Sequence, residues 1–163
     1  MKVGIIGSQF YENPRKIKDT IFKLQQRFGE KLYIVSNGGQ IGASKYAKKF
    51  ALELGCAYKE HNPSHTVSNL YSAMNESFYD KPYKPRNFFH RNKFFANEIT
   101  HLIVFISEGV PGPDVTDTIK QVKKIGKPVV VITWKRYLYT DKLIKVIENY
   151  EKESIVVGRR HEI

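Results

Sequence analysis

Three glycine-bearing segments hold the residues best suited to chemistry in this chain. They are Gly7-Ser8-Gln9, Ser36-Asn37-Gly38-Gly39-Gln40-Ile41-Gly42 and Ser107-Glu108-Gly109-Val110-Pro111-Gly112-Pro113-Asp114. Each stands between a run of branched apolar residues and a stretch with helical spacing. Glycine has no Cβ, so its main chain can approach a ligand closely. The N-terminus of the helix that follows offers unpaired N–H groups to a phosphate. Anion binding is therefore the chemistry expected of Gly7, Ser8, Gln9, Asn37, Gly38, Gly39, Gly42, Gly112 and Thr116. None of these segments is a dinucleotide fingerprint, and no Gly-Lys-Ser/Thr follows to make a Walker loop. Taken singly, each glycine serves a turn or a helix contact equally well. Three such loops at one sheet edge favour a ligand cradle.

Arg91-Asn92 is the next candidate. A guanidinium offers a planar fork of donors that suits phosphate or carboxylate. The other reading is a surface arginine beside a helix-capping asparagine, and Arg86-Asn87 repeats the dipeptide. An arginine facing a pocket is expected to contribute little to the fold. The third loop also supplies the acids for an enzyme. Cleavage of an N-glycosidic bond needs a carboxylate beside an oxocarbenium-like centre, and Glu108, Asp114 and Asp117 are the candidates. The competing roles for these three are helix caps or solvated side chains. His61, His65, His90, His101 and His161 lack zinc-site spacing, so neither metal nor cofactor is expected. Cys56 falls in an apolar stretch and reads as an inert strand residue. Trp134 and Tyr137 could stack on a base or cap the sheet.

The elements that position these loops follow from periodicity. Lys2–Ile6, Leu32–Val35, Cys56–Lys59, Leu102–Ile106 and Val129–Thr133 read as strands. Asn13-Pro14 reads as a helix cap with proline in the first turn. Ile17, Ile21, Leu24 and Phe28 then follow at helical spacing up to Gly29. A second helix carries Ala43, Ala47, Phe50, Ala51 and Leu54. Further helices are expected at Asn87–Ile99, Val115–Ile125 and Asp141–Tyr150. Residues 61–85 lack a clean period and carry Tyr71, Phe78, Tyr79 and Tyr83; a loop of that length is usually functional or mobile. Strands alternating with helices imply an α/β three-layer sandwich around a parallel sheet. The expected organisation is one domain over residues 1–150 and a tail over 151–163, with Ile155-Val156-Val157 as an edge strand or dimer contact.

The 163 residues suit a single domain, and an apolar content of 41% suffices for its core. Met1–Gly7 is too short an apolar run for a signal peptide, and nothing approaches a membrane span. A lone cysteine fits a reducing, cytoplasmic setting. The net charge of +11 favours anionic partners.

Four stretches together resemble the SLOG superfamily of Rossmann-like proteins, and within it the small stand-alone YspA-like branch. They are Val3–Ser8, Val35–Ala43, Arg91-Asn92 through Phe105, and Gly112–Ile119 followed by Gly126-Lys127-Pro128-Val129. The superfamily includes cytokinin-releasing phosphoribohydrolases, the DNA-processing protein A and sensors of NAD-derived signals. The resemblance implies a Rossmann-like fold, and with the strand–helix alternation it implies sheet order 3-2-1-4-5. It also implies that Arg91-Asn92, not Arg86-Asn87, faces the ligand. Two departures stand out. Gln9 occupies a position where the family often has arginine. The hydrolases' Pro-Gly-Gly-x-Gly-Thr-x-x-Glu motif is replaced by Pro111-Gly112-Pro113-Asp114-Val115-Thr116-Asp117-Thr118, with no glutamate following.

The expected function is binding of a nucleotide or nucleotide-derived small molecule by a sensor, carrier or sequestering module. An N-glycosidic hydrolase or transferase is the alternative. Single-stranded nucleic-acid binding ranks third, because most phenylalanines sit at core spacing rather than along a basic groove. A homo-oligomer is expected through Phe88, Phe89, Phe94 and Phe95, which exceed what one helix face buries.

Overall fold

The computed structural model describes residues 1–39, 41–63, 85–107 and 111–133. Expectations for the rest of 61–85, for Glu108, Trp134 and Tyr137, for Asp141–Tyr150 and for the 151–163 tail lie outside the described residues.

The chain runs β1 (Lys2–Gly7), α1 (Pro14–Phe28), a 3-10 turn (Gly29–Lys31), β2 (Tyr33–Ser36), α2 (Ala43–Glu53) and β3 (Ala57–Glu60). It continues with α3 (Pro85–Glu98), β4 (His101–Ile106), α4 (Pro113–Lys124) and β5 (Val129–Thr133). The five strands form one sheet in the order β3-β2-β1-β4-β5. Every neighbouring pair is parallel. Gly4 lies opposite Val35 on one side and Leu102 on the other, which fixes the central register. This is the Rossmann-like α/β architecture and strand order expected from the sequence.

Side chains alternate across the pleat, so each strand feeds both layers. Val3, Ile5, Ile34, Ile103, Phe105 and Ile132 pack against α1 and α2 through Ile17, Ile21, Leu24, Ala47, Phe50 and Ala51. Ile6, Val35, Leu102, Val104 and Ile106 pack against α3 and α4 through Phe95, Ala96, Ile99, Val115 and Val122. Each fully buried Ile, Leu, Val or Phe contributes about 1.5–3 kcal/mol of transfer energy. Gly4 sits under α3, and a Cβ there would meet the Phe95 ring at 2.8 Å. The absent side chain lets Phe95 seat fully against the sheet.

Helix ends follow local chemistry. Asn13 caps α1, its Oδ1 accepting from the Lys16 N–H at 3.3 Å, with Pro14 in the first turn. Pro113 likewise starts α4, two residues ahead of the expected Val115. The second strand begins at Tyr33 because Leu32 closes the 3-10 turn, its N–H reaching the Gly29 carbonyl at 3.1 Å. Cys56 is corrected in place: it precedes β3, half-buried, with its N–H bonded to the Ala51 carbonyl at 2.9 Å. Burial pushes its thiol pKa up, which disfavours the reactive thiolate.

Candidate ligand-binding site

β1 and β4 are neighbours, yet α1 and α4 cover opposite faces of the sheet. Their carboxyl ends therefore form the topological switch, where open α/β sheets leave a crevice. The loops leaving β1, β2 and β4 meet there.

Ser8 joins them. Its N–H donates to the Phe105 carbonyl at 2.9 Å. Its carbonyl accepts from Tyr11 N–H at 3.3 Å and from Ala43 N–H at 3.2 Å. Its Oγ accepts from Ser107 N–H at 3.2 Å. Gly7 is pressed against the Phe105 carbonyl and Ala43, where a Cβ would not fit. Gly42 opens α2 with φ +71, and a Cβ there would strike the carbonyl oxygens of Ser8 and Gln9. The first and second loops thus meet main chain to main chain.

The second loop satisfies two of its own amides. Gly38 N–H donates to Ser36 Oγ at 3.2 Å, and Gly39 N–H donates to Asn37 Oδ1 at 3.1 Å. Asn37 is buried, and the Cβ position of Gly38 abuts Asn62. A Cβ on Gly39 would meet Ser44 Cβ at 2.8 Å. Packing against the first turn of α2 therefore requires glycine there, whatever the ligand.

Arg91 departs most from expectation. It is 2% exposed, not a surface arginine of little weight in the fold. Its Nε donates to Asn92 Oδ1 at 2.8 Å. Nη1 donates to the carbonyls of Asn37 and His61, and Nη2 donates to Asp114 Oδ2 at 2.8 Å. Burial lowers the guanidinium pKa, and Asp114 opposes the shift. Asn92 is fully buried, and its Nδ2 donates to Asp114 Oδ1 at 2.8 Å and Asp117 Oδ2 at 3.1 Å. The dipeptide thus binds α3 to α4, to the second loop and to the residue after β3. It forms a polar floor under the crevice.

Asp114 is held at both carboxylate oxygens and Asp117 at one. Gly112 caps the N-terminus of α4 with open space around it. Thr116 Oγ1 donates to the Pro111 carbonyl at 3.4 Å, which ties the third loop to the helix. Neither α2 nor α4 has a side-chain cap, whereas α1 does. Among the described residues no group of three or more His, Cys, Asp or Glu could hold a metal. None of their helices is long and apolar enough to cross a membrane.

Two features escaped the sequence. His61 follows β3 at the same edge, and its N–H donates to the Ser36 carbonyl at 2.8 Å. Its ring stands edge-on to Phe95 at 6.1 Å, and its buried Nε2 has no hydrogen-bond partner among the described residues. Burial, reinforced by nearby Lys59, lowers its pKa. Sequence spacing tests histidines only as metal ligands, and the useful signal was position just past a strand. The second feature is an exposed apolar rim. Phe10 is 75% exposed and Ile41 is 51% exposed, on the two loops that meet at Gly42.

No family model and no curated protein matches the chain. Solved structures similar to it include two with different described activities. One is a predicted subunit of tRNA methyltransferase from Methanocaldococcus jannaschii, 13% identical, covering 82% of this chain and 69% of its own, with a TM-score of 0.34. The other is phenylacrylic acid decarboxylase from Aquifex aeolicus, 11% identical, covering 99% of both chains, with a TM-score of 0.31. At these scores neither likeness carries a functional argument.

Proposed function

We propose that the carboxyl edge of the sheet binds a nucleotide or nucleotide-derived small molecule, in a protein that senses, carries or sequesters it. One observation carries this reading. The loops after β1, β2 and β4 are hydrogen-bonded into one unit at the switch point through Ser8, Arg91 and Asn92. Above that unit Gln9, Phe10, Ile41 and Gly112 stay exposed. A polar, rigid floor beneath an open apolar rim suits a small molecule that joins a ring to polar groups. The net charge of +11 favours an anionic one. The SLOG-like stretches, including Val3–Ser8 and Val35–Ala43, agree with this reading. Arg91 acts from below by holding the loops, since its donors are turned to Asn37, His61, Asp114 and Asn92.

Hydrolysis of an N-glycosidic bond has less support. Asp114 already accepts at both oxygens, and Asp117 is one helical turn further from the edge. The companion proposal is a homo-oligomer through α3, whose Phe89 and Phe94 remain 40% and 41% exposed. A dimer mass in light scattering supports it, and a monomer mass at micromolar concentration rejects it.

The test of function is mass spectrometry of small molecules released by heating the purified protein. A nucleotide-derived species in near-stoichiometric amount is expected. No released species, together with no thermal shift across a nucleotide panel, overturns the proposal. A steep salt dependence of binding to oligonucleotides would favour the nucleic-acid reading instead.

A further inference from the structure

His61 is the first residue past β3, an edge strand of the described sheet. Its backbone joins two elements. The N–H donates to the Ser36 carbonyl at 2.8 Å, one rung beyond the Ser36–Glu60 end of the β2–β3 ladder. The carbonyl accepts from Arg91 Nη1 at 3.3 Å, and the same nitrogen donates to the Asn37 carbonyl. Asn62, the next residue, lies against Gly38 of the second loop. The ring seats this backbone. The residue is 7% exposed, edge-on to Phe95, and its Nε2 meets no hydrogen-bond partner among the described residues. The charged groups around it are Lys59 on β3, Lys2 on β1, and Arg91 and Glu98 on α3. Glu98 is the one anion of these four, and its Oε1 already takes Lys2 at 3.1 Å and Lys59 at 3.0 Å. Asp114 is turned to Arg91. Burial, with Lys59, Arg91 and Lys2 against Glu98, lowers the pKa of the imidazole and keeps it neutral at neutral pH.

We propose that His61 is an acid-operated latch on the second loop: a proton on its ring drives residues 61–63 from their seat and frees the loop after β2. An imidazolium carries two N–H donors, and a buried charge without a partner is strongly disfavoured. In this seat three cations face the ring and no described acceptor meets Nε2. Water outside satisfies both donors. The path out is short, because β3 lies at the sheet edge and Asn62 is already exposed. Few bonds hold the segment. Asn62 Nδ2 donates to Glu60 Oε1 at 3.0 Å, within the same stretch of chain. Departure breaks the Ser36–His61 rung, the Arg91–His61 bond and the Asn62–Gly38 contact together. Arg91 keeps Asn92 and Asp114, so the floor survives while the second loop loses its outer support. Openings of such a segment require less free energy than global unfolding. Release of a ligand in acid would follow, which rests on the binding reading above; the latch itself needs no ligand.

The experiment is native-state hydrogen exchange of the full chain without ligand, read by NMR and corrected for intrinsic exchange rates. A freely exposed histidine titrates near about 6.5, so an opening that exposes the ring gains at most roughly thirtyfold between about pH 7.5 and 5. The His61 amide is expected to lose protection by about tenfold or more over that range, with little dependence on low urea. The amide of Ile103, buried in the central strand β4, should instead keep the full urea slope of global unfolding. His61→Phe keeps a ring against Phe95 but takes no proton, and protection of its residue 61 amide should stay level across the range. His61→Gln serves the same purpose if the first variant fails to fold, and the wild-type profile alone decides if neither folds. Protection at His61 that pH leaves unchanged, or that falls equally in a folded variant, overturns the latch. So does a His61 amide that exchanges only with the urea slope of Ile103. Each of these failures leaves the binding proposal standing, since no ligand is present. If the latch holds and no nucleotide binds, only its role in ligand release falls.

Discussion

Replacing Arg91 by alanine should cost the protein its stability before it costs any ligand. The guanidinium makes four hydrogen bonds in a nearly solvent-free position. Its loss strands the carbonyls of Asn37 and His61 and the Oδ1 of Asn92, in residues that are themselves buried. An unsatisfied buried acceptor costs about 1–3 kcal/mol. Asp114 is different. Its side chain is 35% exposed, so water takes over much of the lost ion pair. Water entering the vacated volume also relieves part of the carbonyl penalty. The net expectation is about 3–5 kcal/mol, the penalty for three stranded acceptors less that relief. For a chain of this length, that is a fall in melting temperature of roughly 6–20 °C. Arg91→Lys keeps the charge but loses the fork, and should cost about 1.5–3 kcal/mol. Urea unfolding followed by circular dichroism reads both values. An Arg91→Ala midpoint equivalent to within about 0.5 kcal/mol of wild type would refute the assignment of Arg91 as the tie between α3, α4 and the second loop.

Other perturbations follow from the same geometry. Gly42→Ala forces a Cβ into the Ser8 and Gln9 carbonyls at φ +71 and should cost about 2 kcal/mol or more by the same unfolding assay. Gly112→Ala enters open space and should stay within about 0.5 kcal/mol of wild type. Asn13→Ala removes the α1 cap and should cost about 1 kcal/mol in thermal denaturation. His61 carries a pH signature. Its folded pKa is lowered, so the unfolded chain binds more protons. Stability should be level above the ordinary histidine range near about 6.5 and fall as pH drops below it toward the folded value. Urea midpoints measured down to pH 5 should show that fall in the wild type, and His61→Gln should flatten it.

Much of the fold was legible because its signals are local. Asn13-Pro14 and Gly29 bracket α1, and Val/Ile runs mark β1, β2, β4 and β5 to within a residue, whereas β3, Ala57-Tyr58-Lys59-Glu60, has no such run. The glycine loops were legible as a group, since each follows a strand and precedes a helix. The chemistry at each position was not. Gly39 looked like a phosphate contact, but Ser44, five residues on, is what requires glycine there. Arg91 reads as a ligand donor in the sequence, and apart from the adjacent Asn92 the partners it has in the structure lie 23 to 54 positions away. Sequence distance conceals such partners, and only the sheet order brings Asn37, His61 and Asp114 around one guanidinium. Phe10 gives no signal in the sequence, because a single aromatic residue in a loop has no period. Its exposure comes from the turn that holds it out, closed by Tyr11 N–H on the Ser8 carbonyl.

The most direct test of the central claim is amide-resolved NMR of the full chain titrated with AMP. Binding at the carboxyl edge predicts saturable shifts in Gly7–Phe10, in Asn37–Gly42 and around Gly112–Thr116. The amino ends of the strands, near Lys2, Tyr33 and His101, should stay unmoved. Saturable shifts centred elsewhere, or a spectrum unchanged at millimolar AMP and equally unchanged by other nucleotides, would contradict it.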